Sequence, residues 1–127
     1  MLLLLFCFFN VILAIRDDFR ILPKNVFANV GEMAIMECSP PRGYPEPTIR
    51  WRKDDQLLSI NNNNNNGGRY RLSGTNLQIN NVQPEDNGSY QCIAQNMAGQ
   101  RESLPAQLNV RGLFFLYKFN YFSICNL

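Results

Sequence analysis

An all-β sandwich is the fold class that residues 16–111 predict, on three observations. Apolar and polar residues alternate in short runs, as strands with one buried face require. Clusters of Pro, Gly and Asn separate those runs, and no stretch keeps a helical period. Cys38, Trp51 and Cys92 fall on three different runs, with Tyr90 two residues before the second cysteine.

In chain order, residues 33–38 (MAIMEC) form a strand after a turn at Gly31. Residues 48–53 (TIRWRK) form another, which puts Ile49 and Trp51 on one face and Arg50 and Arg52 on the other. The intervening SPPRGYPEP, residues 39–47, is expected to be a proline-stiffened loop outside any ladder, because proline lacks a backbone N–H. Asp54 and Asp55 turn the chain into the short segment 56–60. Six asparagines and two glycines follow at residues 61–68, a polar low-complexity insert expected to be a disordered loop tip. Such an insert costs little, since closure entropy grows slowly with length. Strands resume at residues 69–72 and 76–79, with Leu77 and Ile79 inward. Residues 89–94 form the next strand, and Asn96 to Gly99 a hairpin turn in which Gly99 is free to take positive φ. The last strand, 101–110, is expected to carry Leu104, Ala106, Leu108 and Val110 on one face.

Composition removes several kinds of chemistry. There is no His, the usual general base near neutral pH and the commonest metal ligand. No nucleophile stands with a partnered base and no glycine-rich phosphate loop is present, so no enzyme and no cofactor are expected. The adjacent acids Asp17-Asp18, Asp54-Asp55 and Glu85-Asp86 diverge along strand or loop and read as solvated turns, not metal sites. A net charge of +2 is too small for a nucleic-acid surface.

The two ends differ from the middle. Residues 1–15 are almost wholly apolar, of a length suited to a secretory signal and too short to span a membrane. No Lys or Arg precedes the run, Asn10 interrupts it and no small-x-small cleavage site follows, so the alternative is flanking sequence from an incorrect gene model. Residues 112–127 are aromatic-rich with the one charge Lys118, too short and too polar for a membrane anchor, and are expected to be disordered or artefactual.

Cys38, Trp51 and Cys92 are spaced like the core of an immunoglobulin-type Greek-key sandwich, in which a disulfide bridges two sheets against a buried indole. Asp86-Asn-Gly-Ser-Tyr-Gln-Cys92 sharpens this, because Tyr90 stands where a tyrosine corner needs it. Four cysteines allow three complete pairings. With Cys7 in the apolar leader and Cys125 in the tail, Cys38–Cys92 is the expected bridge, worth about 4 kcal/mol on the loop-entropy model. Trp51, Leu77, Ile79 and Tyr90 are the expected core around it. Asp86 is expected to form a structural salt bridge, with Arg69 or Arg71 available as partner. Four cysteines in a short chain also indicate an oxidising compartment.

Longer stretches carry a more specific likeness. Arg16-Asp-Asp-Phe-Arg20, Gly31-Glu32, the loop Pro40-Pro-Arg-Gly-Tyr-Pro-Glu-Pro-Thr48, Trp51-x-Lys-Asp54 and the hairpin Gln95-Asn-Met-Ala-Gly-Gln-Arg-Glu-Ser103 resemble the second immunoglobulin domain of Roundabout axon-guidance receptors, over about residues 12–111. The resemblance implies an intermediate-set (I-set) domain of a single-pass cell-surface receptor that binds the secreted protein Slit with heparan sulfate as co-receptor. It implies Slit-like protein or neighbouring Ig domains as partners, and an extracellular location. The family's other Ig domains, fibronectin repeats, membrane span and cytoplasmic tail have no counterpart in these residues, and the main Slit contact of the family lies on its first Ig domain.

By the same likeness, Arg42, Arg50, Arg52 and Lys53 are candidate heparan sulfate contacts, able to grip sulfate with charged, partly bidentate hydrogen bonds. The competing reading is a solvated strand whose charge Asp54 and Glu46 offset. Asn87-Gly-Ser89 is a glycosylation sequon. Tyr44 in the proline loop and Met97 at the hairpin tip are expected at opposite ends of the sandwich, Tyr44 as an interdomain contact. The alternative to a recognition module is a generic structural Ig domain of an adhesion or muscle-type protein, without a ligand of its own.

Overall fold

A computed structural model describes residues 13–60 and 68–112. Residues 1–12 of the expected leader, 113–127 of the expected tail, Cys7 and Cys125 with them, and most of the asparagine insert lie outside the described residues, whereas Leu13, Ala14 and Ile15 lie inside them. In chain order the strands are β1 (Ala14–Ile21), β2 (Val26–Asn29), β3 (Ala34–Met36), β4 (Ser39–Tyr44), β5 (Thr48–Lys53), β6 (Gln56–Leu57), β7 (Tyr70–Ser73), β8 (Asn76–Ile79), β9 (Gly88–Asn96), β10 (Gly99–Glu102) and β11 (Ala106–Arg111). A 3₁₀ turn, Pro84–Asp86, is the one helical element among the described residues.

One sheet runs β2-β11-β9-β5-β6, with β10 also on β9; a second runs β3-β8-β7, and β1 and β4 form a pair of their own. All the pairs are antiparallel except β2 with β11. The inward residues of the two larger sheets meet in one core. Met36, Cys38, Trp51, Leu77, Ile79, Val82, Tyr90, Cys92, Ala94 and Leu108 are all fully buried there. Cys38 and Cys92 are joined across the sheets, with Cα atoms 6.5 Å apart and a sequence separation of 54. Trp51 lies opposite Cys92 on β5 and donates its indole N–H to Thr75 O at 3.3 Å. This is the immunoglobulin sandwich with its inter-sheet bridge.

Several elements form for local reasons. Asp54 and Asp55 both take positive φ, 47° and 67°, so the β5–β6 turn twists in the sense a two-residue hairpin needs. β3 ends at Met36, yet Cys38 is still held. Its N–H donates to Asn76 Oδ1 at 3.0 Å and its carbonyl accepts from Thr75 Oγ1 at 2.5 Å. Side chains thus replace the ladder at the cysteine that matters most.

Two expectations are corrected. Residues 39–44 are a strand, not a loop: Ser39, Pro41, Gly43 and Tyr44 pair with Ile21, Phe19, Ile15 and Ala14 of β1. Proline lacks only its N–H, and a strand with a single neighbour uses its N–H groups at alternate positions. Pro40 and Pro41 are also buried, and Pro40 O accepts from Arg20 Nε at 2.8 Å. The last strand is likewise split. Pro105 interrupts it, and Ser103 N–H is turned onto Cys92 O at 2.9 Å. The alternation restarts at Ala106, so Ala106 and Leu108 are buried and Val110 packs on the core, while Leu104 is 75% exposed.

Candidate functional site

The sandwich has two unlike ends, and β9 connects them. At its start lies a buried polar corner. Asp86 is 1% exposed and accepts from both terminal nitrogens of Arg69, from Tyr70 Oη and from Gln83 N at 2.7 Å. Tyr90 Oη donates to Asp86 O at 2.6 Å, four residues back, which is the tyrosine corner. Arg71 is on the exposed face of β7. Burial works to raise the Asp86 pKa, but the Arg69 bonds, with Gln83 N and Tyr70, outweigh it and hold the carboxyl below its usual value. Burial, with the bond to Asp86, pushes the Tyr70 phenol up to about 12, and burial raises Tyr90 further. Among the described residues no buried side-chain nitrogen or oxygen lacks a partner.

At the far end of β9 the hairpin tip meets the proline loop. Asn96 uses its whole amide. Oδ1 accepts from Ala98 N at 2.8 Å and Gly99 N at 3.2 Å, and Nδ2 donates to Ala14 O at 2.7 Å and Pro45 O at 2.9 Å. One side chain therefore ties the hairpin, the start of β1 and the proline loop together. Gly43 lets them approach, since a Cβ there would stand 2.6 Å from Ala14 O. Arg101 adds a second tie, from Nε to Asp17 Oδ1 at 2.7 Å and from Nη2 to Ile15 O at 3.3 Å. Pro45, Glu46, Thr48, Gln95, Asn96 and Met97 line a groove of about 430 Å³. Tyr44 (57% exposed) and Met97 (79% exposed) flank it. They therefore share one end of the sandwich. The expectation of opposite ends fails because Asn96 joins their loops in space, which spacing along the chain does not show.

The candidate sulfate contacts do not form one cluster. Arg50 and Arg52 point outward from β5, while Arg42 is exposed on β4 in the separate two-stranded sheet. Arg50 Nη2 donates to Gln95 Oε1 at 2.8 Å, and Arg52 Nη2 to Glu102 Oε1 at 3.0 Å. Lys53 Nζ donates to Glu85 O. Arg50 and Glu102 lie opposite Ile93 on either side, so this polar layer roofs an outward-facing isoleucine that is only 2% exposed. The offsetting acid is thus Glu102; Glu46 pairs with Arg20, and Asp54 Oδ1 accepts from Ser89 N at 2.9 Å.

Residues that carry no periodic signal do much of the bonding. Asn96, Arg101, Ser103, Thr75 and Asn76 carry no individual signal in the sequence; the first three belong to the Gln95–Ser103 motif. Ser103 Oγ accepts from Cys92 N at 2.9 Å. Among the described residues no group of His, Cys, Asp and Glu is placed to hold a metal, and no helix is long and apolar enough to cross a membrane.

The immunoglobulin I-set domain family matches residues 17–110. The chain is 53% identical over 97 residues to protein sax-3 of Caenorhabditis elegans, covering 76% of this chain and 7% of that protein. It is 46% identical over 96 residues to Roundabout homolog 3 of Homo sapiens, again 76% of this chain and 7% of the relative. Among solved structures, the N-terminal Ig1-2 module of the Drosophila receptor protein tyrosine phosphatase DLAR superposes with a TM-score of 0.66 at 30% identity, over 75% of this chain and 45% of that one. The chain thus spans less than a tenth of the length of these two curated relatives.

Proposed function

The chain belongs to the immunoglobulin I-set family, and from that premise we propose that it is an extracellular recognition module of a Roundabout-type receptor, the one in second position. It acts by surface complementarity and performs no chemistry. Slit and heparan sulfate are ligands of the parent receptor, to which this domain contributes a docking end and a spacing.

The observation that carries this reading is the convergence of the two most family-specific stretches, the proline loop and the Gln95–Ser103 hairpin, at the end where the chain enters the domain. Asn96 bonds the two stretches directly through Pro45 O and reaches Ala14 O of β1, while Arg101 bonds Asp17 of β1 and Glu102 bonds Arg52 of β5. Tyr44 and Met97 stand exposed there, together with the polar groove residues Glu46 and Gln95. An end tied together by its own motif residues, with apolar tips presented outward, suits one that abuts a neighbouring Ig domain. The Cys38–Cys92 bridge supports an oxidising, extracellular setting.

The test is replacement of this domain, within a full-length receptor, by an unrelated I-set domain of equal length. Loss of Slit response, restored when the proline loop and hairpin are grafted back, is expected. An unchanged response would favour the second reading, a generic structural Ig domain. One observation speaks for that reading: Arg50, Arg52 and Lys53 are already engaged by Gln95, Glu102 and Glu85. Heparin chromatography of the chain addresses that point, with salt-sensitive retention expected to fall in Arg50→Ala and Arg42→Ala if these cations touch sulfate.

A further inference from the structure

We infer that Asn87 carries an N-linked glycan, and that the same side chain closes the β9–β11 ladder. This rests on the extracellular reading above. Asn87-Gly-Ser89 is a sequon, and Asn87 is exposed, with extended backbone at φ −58° and ψ 131° just after the 3₁₀ turn. The β9–β11 register ends with Leu108 opposite Gly88. Beyond that pair, Val110 N donates to Asn87 Oδ1 at 3.0 Å, so a side-chain oxygen extends the ladder past its last backbone rung.

That bond settles which way the amide faces. An N–H finds only an oxygen to bond, so Oδ1 must lie toward β11, and Nδ2, the atom that is glycosylated, lies away from it. In the transfer, Nδ2 bonds C1 of a lipid-pyrophosphate-linked oligosaccharide. The bond from C1 to the pyrophosphate oxygen breaks, the lipid pyrophosphate leaves, and Nδ2 gives up one proton to base. The product keeps Oδ1 intact, so the folded domain accommodates the sugar with its ladder bond in place.

The middle residue of the sequon fits the same corner. A Cβ on Gly88 would stand 2.7 Å from Asp54 Oδ2, and Asp54 Oδ1 holds Ser89 N at 2.9 Å. β9 runs from the residue after Asn87 to Asn96, which sets the two asparagines roughly 30 Å apart at strand rise. The glycan therefore stands clear of Tyr44, Met97 and their groove, at the end from which the chain leaves the domain.

The test uses the full chain behind a heterologous secretion leader in insect cells, with intact mass read before and after peptide N-glycosidase treatment. One glycan is expected, with Asn87 converted to Asp on its release. The Ser89→Ala variant is expected to lose the glycan and keep the ladder bond. Asn87→Ala is expected to lose both, and to melt below the equally unglycosylated Ser89→Ala by roughly 2–5 °C. Secreted, disulfide-bonded chain with unmodified Asn87 overturns the site, and equal melting of the two variants overturns the ladder role. The extracellular reading is tested separately, by surface labelling of a full-length receptor that carries this domain. Absence from the cell surface counts against that reading, while occupancy behind the supplied leader stands.

Discussion

The two ends of β9 solve the same problem in opposite ways. Each must finish a sheet and satisfy backbone where ladders stop. The Asp86 end does so in the dry interior, with one carboxylate serving Arg69, Tyr70 and a backbone N–H. The Asn96 end does so at the surface, with an amide spread over three segments and apolar tips left outside. A buried, fully paired group is costly to disturb, whereas an exposed one exchanges its bonds for water. One end therefore governs stability, and the other is free to be shaped by what it meets.

The largest effect should come from the bridge between them. Replacing Cys38 and Cys92 by Ala is expected to cost about 4 kcal/mol, read as the shift in a denaturant midpoint, and to loosen both ends. Asp86→Ala should follow at about 3 kcal/mol, since it strands Arg69, the Tyr70 hydroxyl and Gln83 N together. Asn96→Ala should cost no more than about 1 kcal/mol, because its partners face water. If chemical denaturation found Asn96→Ala as damaging as Asp86→Ala, the contrast drawn between the ends would collapse. Tyr44→Ser with Met97→Ser should leave the melting temperature unchanged while weakening association with a preceding domain, as read by calorimetry on the two-domain pair.

Titration offers a subtler separation. The Asp86 carboxyl is held low, so the stability it supplies is fully present above its unfolded pKa and is lost as pH falls through the lower folded value. Tyr70 has the opposite sense. Its phenol is raised from 10 to about 12, so its contribution is intact below pH 10 and is lost as pH climbs toward 12. Both limbs belong to the Asp86 end. In Tyr70→Phe the alkaline limb is expected to shrink with the neutral-pH fold kept, and hydrogen exchange should show the opening begin at β7 and the 3₁₀ turn, not at the hairpin.

The legible and illegible parts of the sequence divide along the same line. Cys38, Trp51, Tyr90 and Cys92 are legible because their order along the chain is the signal, with Tyr90 and Cys92 two apart on β9 and Cys38 and Trp51 on earlier segments. The sheet register then puts Trp51 beside Cys92 with nothing else required. The strand at Pro40-Pro41 is hidden in the sequence because proline's cost depends on how many neighbours its strand has, which is a property of the sheet. Leu104 breaks the apparent pattern because a phase slip at Pro105 resets the alternation. The Asn96 clamp was legible only as a family-like motif. Its partners Ala14 and Pro45 are 82 and 51 residues away, and an asparagine gives no periodic sign of reaching that far.

The pairing of β2 with β11 has a mechanical consequence. These strands run side by side in the same direction, matched at Val26 with Leu108, Phe27 with Asn109, Ala28 with Val110 and Asn29 with Arg111, and Val30 N adds a bond to Arg111 O at 2.7 Å. One leads back to the start of the domain and the other out to its end. Tension between the two ends of the chain therefore drags them past each other along their length, and the whole row of bonds shares the load at once instead of unzipping rung by rung. A domain strung within a longer chain and pulled from both ends would resist stretch at this seam.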